Sequence, residues 1–448
     1  MRRSLGLTLT LTLTLPGAAR AFEPATTHAG IAEQAVLASR LGAILMKGFG
    51  RPLGLWEPLR IHLDGERGER IAKRLAKLDA GEGYAPDHGR LPALEWLVAG
   101  SVAEEVPGAR DRNHYFDPTT GRGLDQGGFL SGLDLRIAGV ADRSGSLRGV
   151  FTGASFDGNG LASTTWLTDE RNDFSLGRFL DARERSAAAA TAEEREHALS
   201  EALLIAGALL HVVADAADPA HVRDDFRIEY GLQRGPLARF VAARYGRLLV
   251  PPPPRPAEPI DHLADAIHNA AGAGLADRTA RRFFSSGTLP GSADAPSLPK
   301  VAAGDAPSGW VAGEAVKHLA RWTRDARGDV TWTIDRTCLE DYAAALLPEA
   351  TEAALVALEH LFRGELRIEA GTVRNGDLAL GAGKVQLLAE DDKGARWVIA
   401  SRTVAAVGAR DTLIDLPATL PSEKLAAVYR GLDLHGEPIV ISTEFSTK

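Results

Sequence analysis

Residues 198–217 read ALSEALLIAGALLHVVADAA, and the architecture of the chain follows from this stretch. It is apolar on nearly every side of a helical wheel, which predicts a helix at the centre of a bundle. Near its end stand His211 and Asp215, four residues apart and therefore on one face. Burying a histidine and a carboxylate costs free energy of desolvation unless the two groups bind a partner. The stretch therefore predicts a binding site at the end of a central helix.

The residues that follow extend this pattern. Asp218 and Pro219 end the helix, and His221 comes directly afterwards, which gives His-x3-Asp-x5-His. Imidazole and carboxylate groups are both good ligands for Zn²⁺, so the spacing is typical of a metal site. The alternative is a hydrogen-bonded histidine–aspartate pair in an ordinary core.

Outward from this helix, residues 27 to 363 are mostly helical in pattern. Thr26 and Thr27 can cap a first helix whose apolar face continues to Leu45. We expect further helices over residues 66–78, 92–106, 310–327 and 348–363. Residues 117–173 are rich in Gly, Ser, Thr and Asp and predict a long functional loop, and residues 251–259 (PPPPRPAEP) predict a stiff connector.

After Gly364 the apolar period changes to two. Turn sequences such as Asn375-Gly376 separate short runs near residues 366–368, 384–388, 397–401, 412–416, 425–429 and 438–442. This pattern predicts a small antiparallel β-sandwich. The expected fold is thus mainly α, a multi-helical bundle followed by a small antiparallel β-sandwich domain.

The N-terminus has the layout of a secretory signal. Arg2 and Arg3 precede an apolar run over residues 5–15, and Ala19-Arg20-Ala21 supplies an A-x-A cleavage site. We therefore expect a signal peptide at 1–21, a helical zinc-binding domain at 22–364, and a β-sandwich domain at 365–448. The mature protein would be exported, periplasmic or secreted, and would begin at Phe22.

Composition limits the function. Cys338 is the only cysteine, so no intrachain disulfide can form, and bound metal is one candidate for stiffening an exported fold. A formal charge of −8 argues against a broad nucleic-acid-binding surface, although not against an enzyme acting on a phosphodiester at a metal-lined cleft. Beyond the signal segment we expect no transmembrane helix.

Two further segments could add metal ligands. Glu104 and Glu105 stand about ten residues before His114, which lies in the run Asn-His-Tyr-Phe-Asp-Pro at 113–118. His28 stands near the start of the first predicted helix. Taken alone, the two glutamates suit a solvated helix end, and His28 suits a structural position.

Together these motifs carry a resemblance. An aromatic residue at 22, His28, the Glu-Glu pair, NHYFDPTTGRGL from residue 113, and HVVADAADPAH from residue 211 occur in this order. They resemble the zinc-dependent phospholipase C / P1 nuclease family, over residues 22 to about 245 and, through the 346–364 helix, to 364. The HYFDPTTG segment looks closer to the phospholipase branch. The resemblance implies a helical bundle around three clustered zinc ions.

The resemblance also implies ligands. The α-amino nitrogen and carbonyl oxygen of Phe22, with His28, would hold one zinc ion, and Asp215 would bridge to a second. His114, His211 and Glu105 would complete the second ion, with Glu104 replacing Glu105 if the register slips by one. His221 would belong to a third ion.

One departure from the family pattern affects the third ion. The family has His-x3-Glu or His-x3-Asp where this chain has Arg234 and Ala238. Asp224, Asp225 and Glu229 could substitute, or they could be ordinary loop carboxylates. Two zinc ions are therefore expected, while the third site lacks its usual ligands.

The function implied is a zinc-dependent phosphodiester hydrolase of phospholipase C type, in which zinc-activated water attacks phosphorus in line. Asp215 would be the bridging ligand, and Glu105 a ligand that also orients or deprotonates the water. A phospholipid or other phosphodiester would be the substrate, with peripheral membrane contact and no obligate protein partner. Two alternatives stay open: a P1-type nuclease, which the acidic charge disfavours, and a binding protein that has lost turnover.

Overall fold

The computed structural model describes residues 22–79, 90–106, 108–125, 160–225, 235–289, 298, 301, 306–369 and 371–446. The predicted signal peptide at 1–21 lies outside these residues. So do most of the predicted functional loop and two positions of the expected third zinc site, Glu229 and Arg234.

The described N-terminal part is mainly helical, as the sequence predicts. A π-helical turn, Pro24–His28, leads into the first helix. The α-helices of the described residues are α1 (Ala29–Ala38), α2 (Leu41–Gly48), α3 (Gly65–Asp79), α4 (Ala93–Ala103), α5 (Ser163–Trp166), α6 (Leu176–Ala188), α7 (Ala192–Asp215), α8 (Pro236–Arg244), α9 (Leu275–Arg282) and α10 (Arg336–Leu361).

Helix α7 is the central helix predicted from residues 198–217. A capping box starts it: Thr191 accepts a hydrogen bond from the Glu194 backbone N–H, and the Glu194 carboxylate accepts one from the Thr191 N–H. Every residue from Ala198 to Asp215 is buried. By length and composition α7 could cross a membrane, contrary to our expectation, but 94% of its apolar window is buried by the rest of the fold. It is the core helix of the bundle.

Two glycines set the distance between α4 and α7. A Cβ atom at Gly207 would overlap the carbonyl oxygen of Leu97, and a Cβ atom at Gly100 would overlap that of Leu204. The two helix backbones therefore touch, which only glycine allows at these positions. This contact brings the end of α4 against the last turns of α7.

Twelve strands lie in the described residues, and they form antiparallel sheets. They are β1 (Pro58–Arg60), β2 (Arg90–Pro92), β3 (Ser308–Val311), β4 (Ala320–Arg324), β5 (Val330–Thr333), β6 (Leu366–Glu369), β7 (Thr372–Asn375), β8 (Leu380–Glu390), β9 (Arg396–Val404), β10 (Thr412–Asp415), β11 (Lys424–Asp433) and β12 (Pro438–Ser446). All six predicted C-terminal strands are present, and β7 is an additional one.

The C-terminal strands form two sheets, ordered β12-β11-β8-β9 and β10-β7-β6. They share a small core to which Val373 and Leu413 contribute from one sheet and Val385 and Tyr429 from the other. The opposite face of the four-stranded sheet, including Val428, joins the main helical core. The arrangement agrees with a helical part followed by an antiparallel β part. The domain boundary at 364/365 stays a prediction.

Three helix predictions need correction. Residues 310–327 are not a helix: they fall in the sheet β3-β4-β5, where Trp322 pairs with Trp332 and Thr323 with Thr331. Aromatic and β-branched residues favour such pleated pairs, and the turn after Asp325 joins the strands. The predicted helix at 348–363 begins earlier, at Arg336, with Pro348 inside it.

The first helix is the third correction, because it breaks into α1 and α2. The Ser39 hydroxyl donates to the Val36 carbonyl and accepts from the Leu41 N–H, which ends one helix and starts the next. Thr26 and Thr27 do not cap α1, since they lie within the π-helical turn that carries His28. That turn decides where the His28 ring points.

Candidate metal centre

The centre is built on the last turn of α7. His211 and Asp215 are both buried, and His211 Nε2 lies 3.2 Å from Asp215 Oδ2. On the other side of the ring, His211 Nδ1 donates a hydrogen bond to the Ser101 carbonyl oxygen at 2.6 Å. A carbonyl accepts only, so Nδ1 carries a proton, and Nε2, which faces Asp215, is the ring nitrogen that could bind a metal. A metal-ligating histidine is commonly oriented by such a bond.

His28 approaches from the π-helical turn. Its ring stacks on His211 with centroids 3.7 Å apart, and its Nε2 lies 3.0 Å from Asp215 Oδ1. Within the described residues, no hydrogen bond of acceptable angle reaches either His28 nitrogen or Asp215 Oδ1. Burial and the neighbouring His211 lower the pKa of His28 to about 4, although Asp215 opposes this shift. His28 is therefore a neutral imidazole aimed at a carboxylate.

His114 meets the same carboxylate from a third direction. Its Nδ1 lies 2.7 Å from Asp215 Oδ2, and its Nε2 lies 3.4 Å from Glu104 Oε1. Burial opposes charge on the ring, but the hydrogen bonds to the two carboxylates outweigh it and raise the pKa of His114 to about 9. Without metal, His114 is thus an imidazolium between two anions.

The donor atoms fall into two groups that share Asp215. One is His28, His211 and Asp215; the other is Asp111, His114 and Asp215. Within each group, the candidate ligand atoms all lie within 4.8 Å of one another. Tetrahedral zinc with bonds of about 2.0–2.1 Å separates its ligands by roughly 3.3 Å, which the separations at His28 and His211 approach. Buried imidazole and carboxylate donors of this kind suit zinc, and among the described residues His28 and Asp215 Oδ1 have no hydrogen bond that would compete with it.

Asp111 is the residue that sequence reasoning missed. It lies in the 3₁₀ turn Gly108–Asn113, and its Oδ1 lies 3.0 Å from His221 Nε2. Its only sequence signal was its position three residues before His114, on the same side of a helical turn. The resemblance grouped His211 with His114, whereas the two close triads group His211 with His28 and His114 with Asp111.

The two glutamates differ in their surroundings. Arg110 Nη2 lies 2.6 Å from Glu104 Oε1, and Trp166 Nε1 donates to the same oxygen at 3.0 Å. Burial would raise the pKa of Glu104, but Arg110 and then His114 outweigh it and lower the pKa to about 2. Glu104 therefore lies as a carboxylate against His114, Arg110 and Trp166, and its role as the alternative ligand to Glu105 stays a prediction. Glu105 is buried beside it, outside both triads of the described chain, and its ligand role stays a prediction.

His221 joins the centre through Asp111. Its Nδ1 lies 3.4 Å from Asp218 Oδ2, and the Tyr115 ring stacks on it at 4.1 Å. Burial lowers its pKa, but Asp111 and Asp218 outweigh this and hold the pKa well above its usual range.

Two of the acidic residues that could substitute at the third zinc site, Asp224 and Asp225, make hydrogen bonds to nearby loops. Asp225 Oδ2 accepts from the Gly287 N–H, and Asp224 Oδ1 accepts from the Asp125 N–H. The third zinc ion stays a prediction.

The raised pKa of His114 predicts that metal binding releases a proton. His114 is protonated below its pKa of about 9, whereas a ligating histidine must be neutral, so metal and proton compete there. His28, with a pKa of about 4, is already neutral at pH 7 and releases none. The proton released by His114 should alone make zinc affinity rise about tenfold per pH unit between pH 6 and 8.

Calorimetric titration of the metal-free protein in two buffers of different ionisation enthalpy measures this release. At pH 7.5 the wild type should release about one proton more than a His114→Gln variant. Equal release by the two proteins would show that His114 is not the protonated ligand.

Comparisons with known proteins give only distant likeness, among solved structures. No family model matches the chain, and no curated protein matches it. Among solved structures, the alpha toxin from Clostridium absonum aligns with 97% of this chain and 100% of its own, at 10% identity and a TM-score of 0.31. A score this low does not establish a common fold, and the function proposed below rests on the geometry of the metal centre.

Proposed function

We propose that this protein is a zinc-dependent phosphodiester hydrolase of the phospholipase C type. The observation that carries the proposal is the pair of buried triads sharing Asp215. A shared carboxylate between two imidazole-containing triads suits a two-metal site. Bound zinc would supply Lewis acidity toward phosphoryl oxygens and would lower the pKa of a water molecule toward 7.

The chain's own residues would bind the ions, orient the ligands and position the attacking water. His28 and His211 would hold one zinc ion, and Asp111 and His114 would hold the other. Asp215 would bind both ions. The Ser101 carbonyl and the Glu104 carboxylate fix the directions of the His211 and His114 rings. Glu105, buried one residue beyond Glu104, is our candidate to orient the attacking water.

Phe22 supports a role for the processed N-terminus. Its ring is buried and lies 5.7 Å from the His28 ring, edge to face. Cleavage after residue 21 would create an α-amino group close to the first triad. Such a group has a pKa near 8 and can bind metal in its neutral form. We therefore propose that export and cleavage complete the site.

A third ion would have to use different partners from those of the family. His221 already meets Asp111 and Asp218. A cavity lined by Asp218, Asp225 and Tyr342, among other residues, lies on that side of the centre.

The experiment that tests the function combines metal content with a substrate panel. Processed protein purified from an exporting host should retain about two zinc equivalents after dialysis. It should then be assayed with phosphatidylcholine, single-stranded DNA and bis(p-nitrophenyl) phosphate. Zinc with turnover of the lipid supports the proposal, and turnover of DNA alone would make the protein a P1-type nuclease. Zinc without turnover of any substrate would favour a binding protein.

A further inference from the structure

A buried arginine lies where α6 and the end of α2 pack against β12, a region that we name the α6–β12 junction. Arg183, on α6, is 3% exposed, and within the described residues no hydrogen bond of acceptable angle reaches its Nε or Nη1. Burial alone lowers the pKa of Arg183 to about 9, so the guanidinium is still charged at pH 7. A buried charge whose N–H groups have no acceptor is costly unless a ligand compensates it.

Aromatic rings surround this guanidinium. Its central carbon lies 4.6 Å from the centre of the Phe49 ring and 4.8 Å from that of the Phe362 ring. Phe179, one helical turn earlier on α6, meets the Phe362 ring edge to face at 5.4 Å. The faces of aromatic rings attract a cation, but they supply no counter-charge. The rings therefore explain why the arginine tolerates burial, and they leave its positive charge uncompensated.

Acidic side chains near the junction pair with other arginines. Asp181 and Glu184, which flank the buried arginine on α6, both pair with Arg430 of β11. Glu444 of β12 pairs with Arg396. Within the described residues, the charge of the buried guanidinium is therefore left for an anion that the chain does not supply.

A second polar group of the junction also has no partner within the described residues. Ser442 of β12 lies opposite Val428, which packs into the helical core, so its side chain faces the helices. Its hydroxyl is buried and makes no hydrogen bond there. An added Cβ at Gly48, the residue before Phe49, would lie 3.4 Å from the Ser442 carbonyl oxygen, which places this serine against the end of α2. Guanidinium and hydroxyl groups are the donors that small anions use.

The charge to be compensated favours a small monovalent anion. The guanidinium carries one positive charge, and a doubly charged sulfate or phosphate would overcompensate it. A dianion also costs far more to take out of water than a monoanion. We propose that Arg183 binds one chloride ion in the α6–β12 junction, and that this ion stabilises the packing of the helical part against the β part. Arg183 belongs to neither triad of the metal centre, so this proposal and the hydrolase proposal can fail separately.

Thermal unfolding of the signal-cleaved protein tests the binding. Chloride is varied from about 5 to about 500 mM, with sodium gluconate holding the ionic strength constant. The Tm of the wild type should rise by about 1–2 °C for each tenfold increase in chloride above the Kd, because a ligand of the folded state alone stabilises it. Arg183→Met keeps an unbranched side chain without the charge, and its Tm should lose this dependence.

The matched control is Arg430→Met. It removes the same charge from an arginine that also contacts α6, but this side chain is 43% exposed and paired with carboxylates. Its Tm should depend on chloride as that of the wild type does. General effects of the salt on the protein surface act on all three proteins, so the difference between them isolates the site.

Crystals of the wild type grown with sodium bromide locate the ion directly, even where Arg183→Met fails to fold. An anomalous bromide peak should lie within hydrogen-bonding distance of Arg183 Nε or Nη1. No peak at Arg183, or a wild-type Tm that ignores chloride, would overturn the proposal. So would an Arg183→Met variant whose Tm rises with chloride like that of the wild type. A bromide peak without any chloride dependence of the Tm would be an adventitious ion only, and the stabilising role would be wrong.

Discussion

An Asp215→Asn variant should lose nearly all bound zinc and reduce phosphodiester hydrolysis by roughly a thousandfold or more. Asp215 is the one carboxylate shared by both triads. Its removal takes a ligand from each candidate ion and leaves His28, His211 and His114 without their common anion. Asparagine keeps the size of the side chain, so packing at the end of α7 changes little.

The His211→Ala variant tests one triad without removing a ligand from the other. His211 belongs to the His28 triad alone, so this variant should lose about one zinc equivalent where Asp215→Asn loses about two. Turnover should fall to background in both. Elemental analysis after dialysis gives the zinc count, and circular dichroism shows whether each variant is folded.

The matched control is His360→Gln. His360 is also buried and also pairs with a carboxylate, that of Glu437, but no described third ligand stands near them. This variant should keep full zinc content and turnover. Undiminished turnover in His211→Ala, or equal zinc loss in His360→Gln, would contradict the assignment of the centre.

The parts of the site that lie on one helix were predictable from the sequence. A spacing of four places His211 and Asp215 on one face in any helix, and the apolar run around them predicts its burial. Asp111 was not predictable in this way, because its contact with His221 joins positions 110 residues apart. The same holds for the Ser101 carbonyl, which reaches His211 only because α4 and α7 touch.

The missed sheet has a different cause. Residues 310–327 contain both helix-forming residues and the Trp and Thr positions of strands β3 and β4, so a short window supports either structure. Pairing with β5, which brings Trp332 opposite Trp322, decides the matter. This pairing is a tertiary contact. A sequence window that ends before residue 330 does not include strand β5 and therefore cannot reveal it.

The second large effect concerns the glycine contact between α4 and α7. A Gly207→Ala variant should lose about 3 kcal/mol or more of its free energy of unfolding, because the new methyl group would overlap the Leu97 carbonyl oxygen. Backbone atoms cannot rotate away as a side chain can, so the helices must separate. Denaturation in urea, followed by circular dichroism, measures the loss.

Gly177→Ala is the control for this change. Gly177 is exposed on α6, and an added Cβ there would meet only the Ser175 hydroxyl oxygen, at 4.0 Å. Alanine is the better helix former by about 1 kcal/mol, so this variant should be as stable as the wild type or slightly more so. If Gly207→Ala were equally stable, the two helices would have room between them, and the close contact would be wrong.

The glycine contact should also govern metal binding. When α4 moves away from α7, the Ser101 carbonyl withdraws from His211 Nδ1, and the ring loses the hydrogen bond that fixes its tautomer. Gly207→Ala should therefore bind zinc about 10- to 100-fold more weakly under conditions where it is still folded. Competition with a chelator of known affinity measures this. Weakened folding with unchanged zinc affinity would mean that Asp215 and His28 alone hold the His211 ring in place.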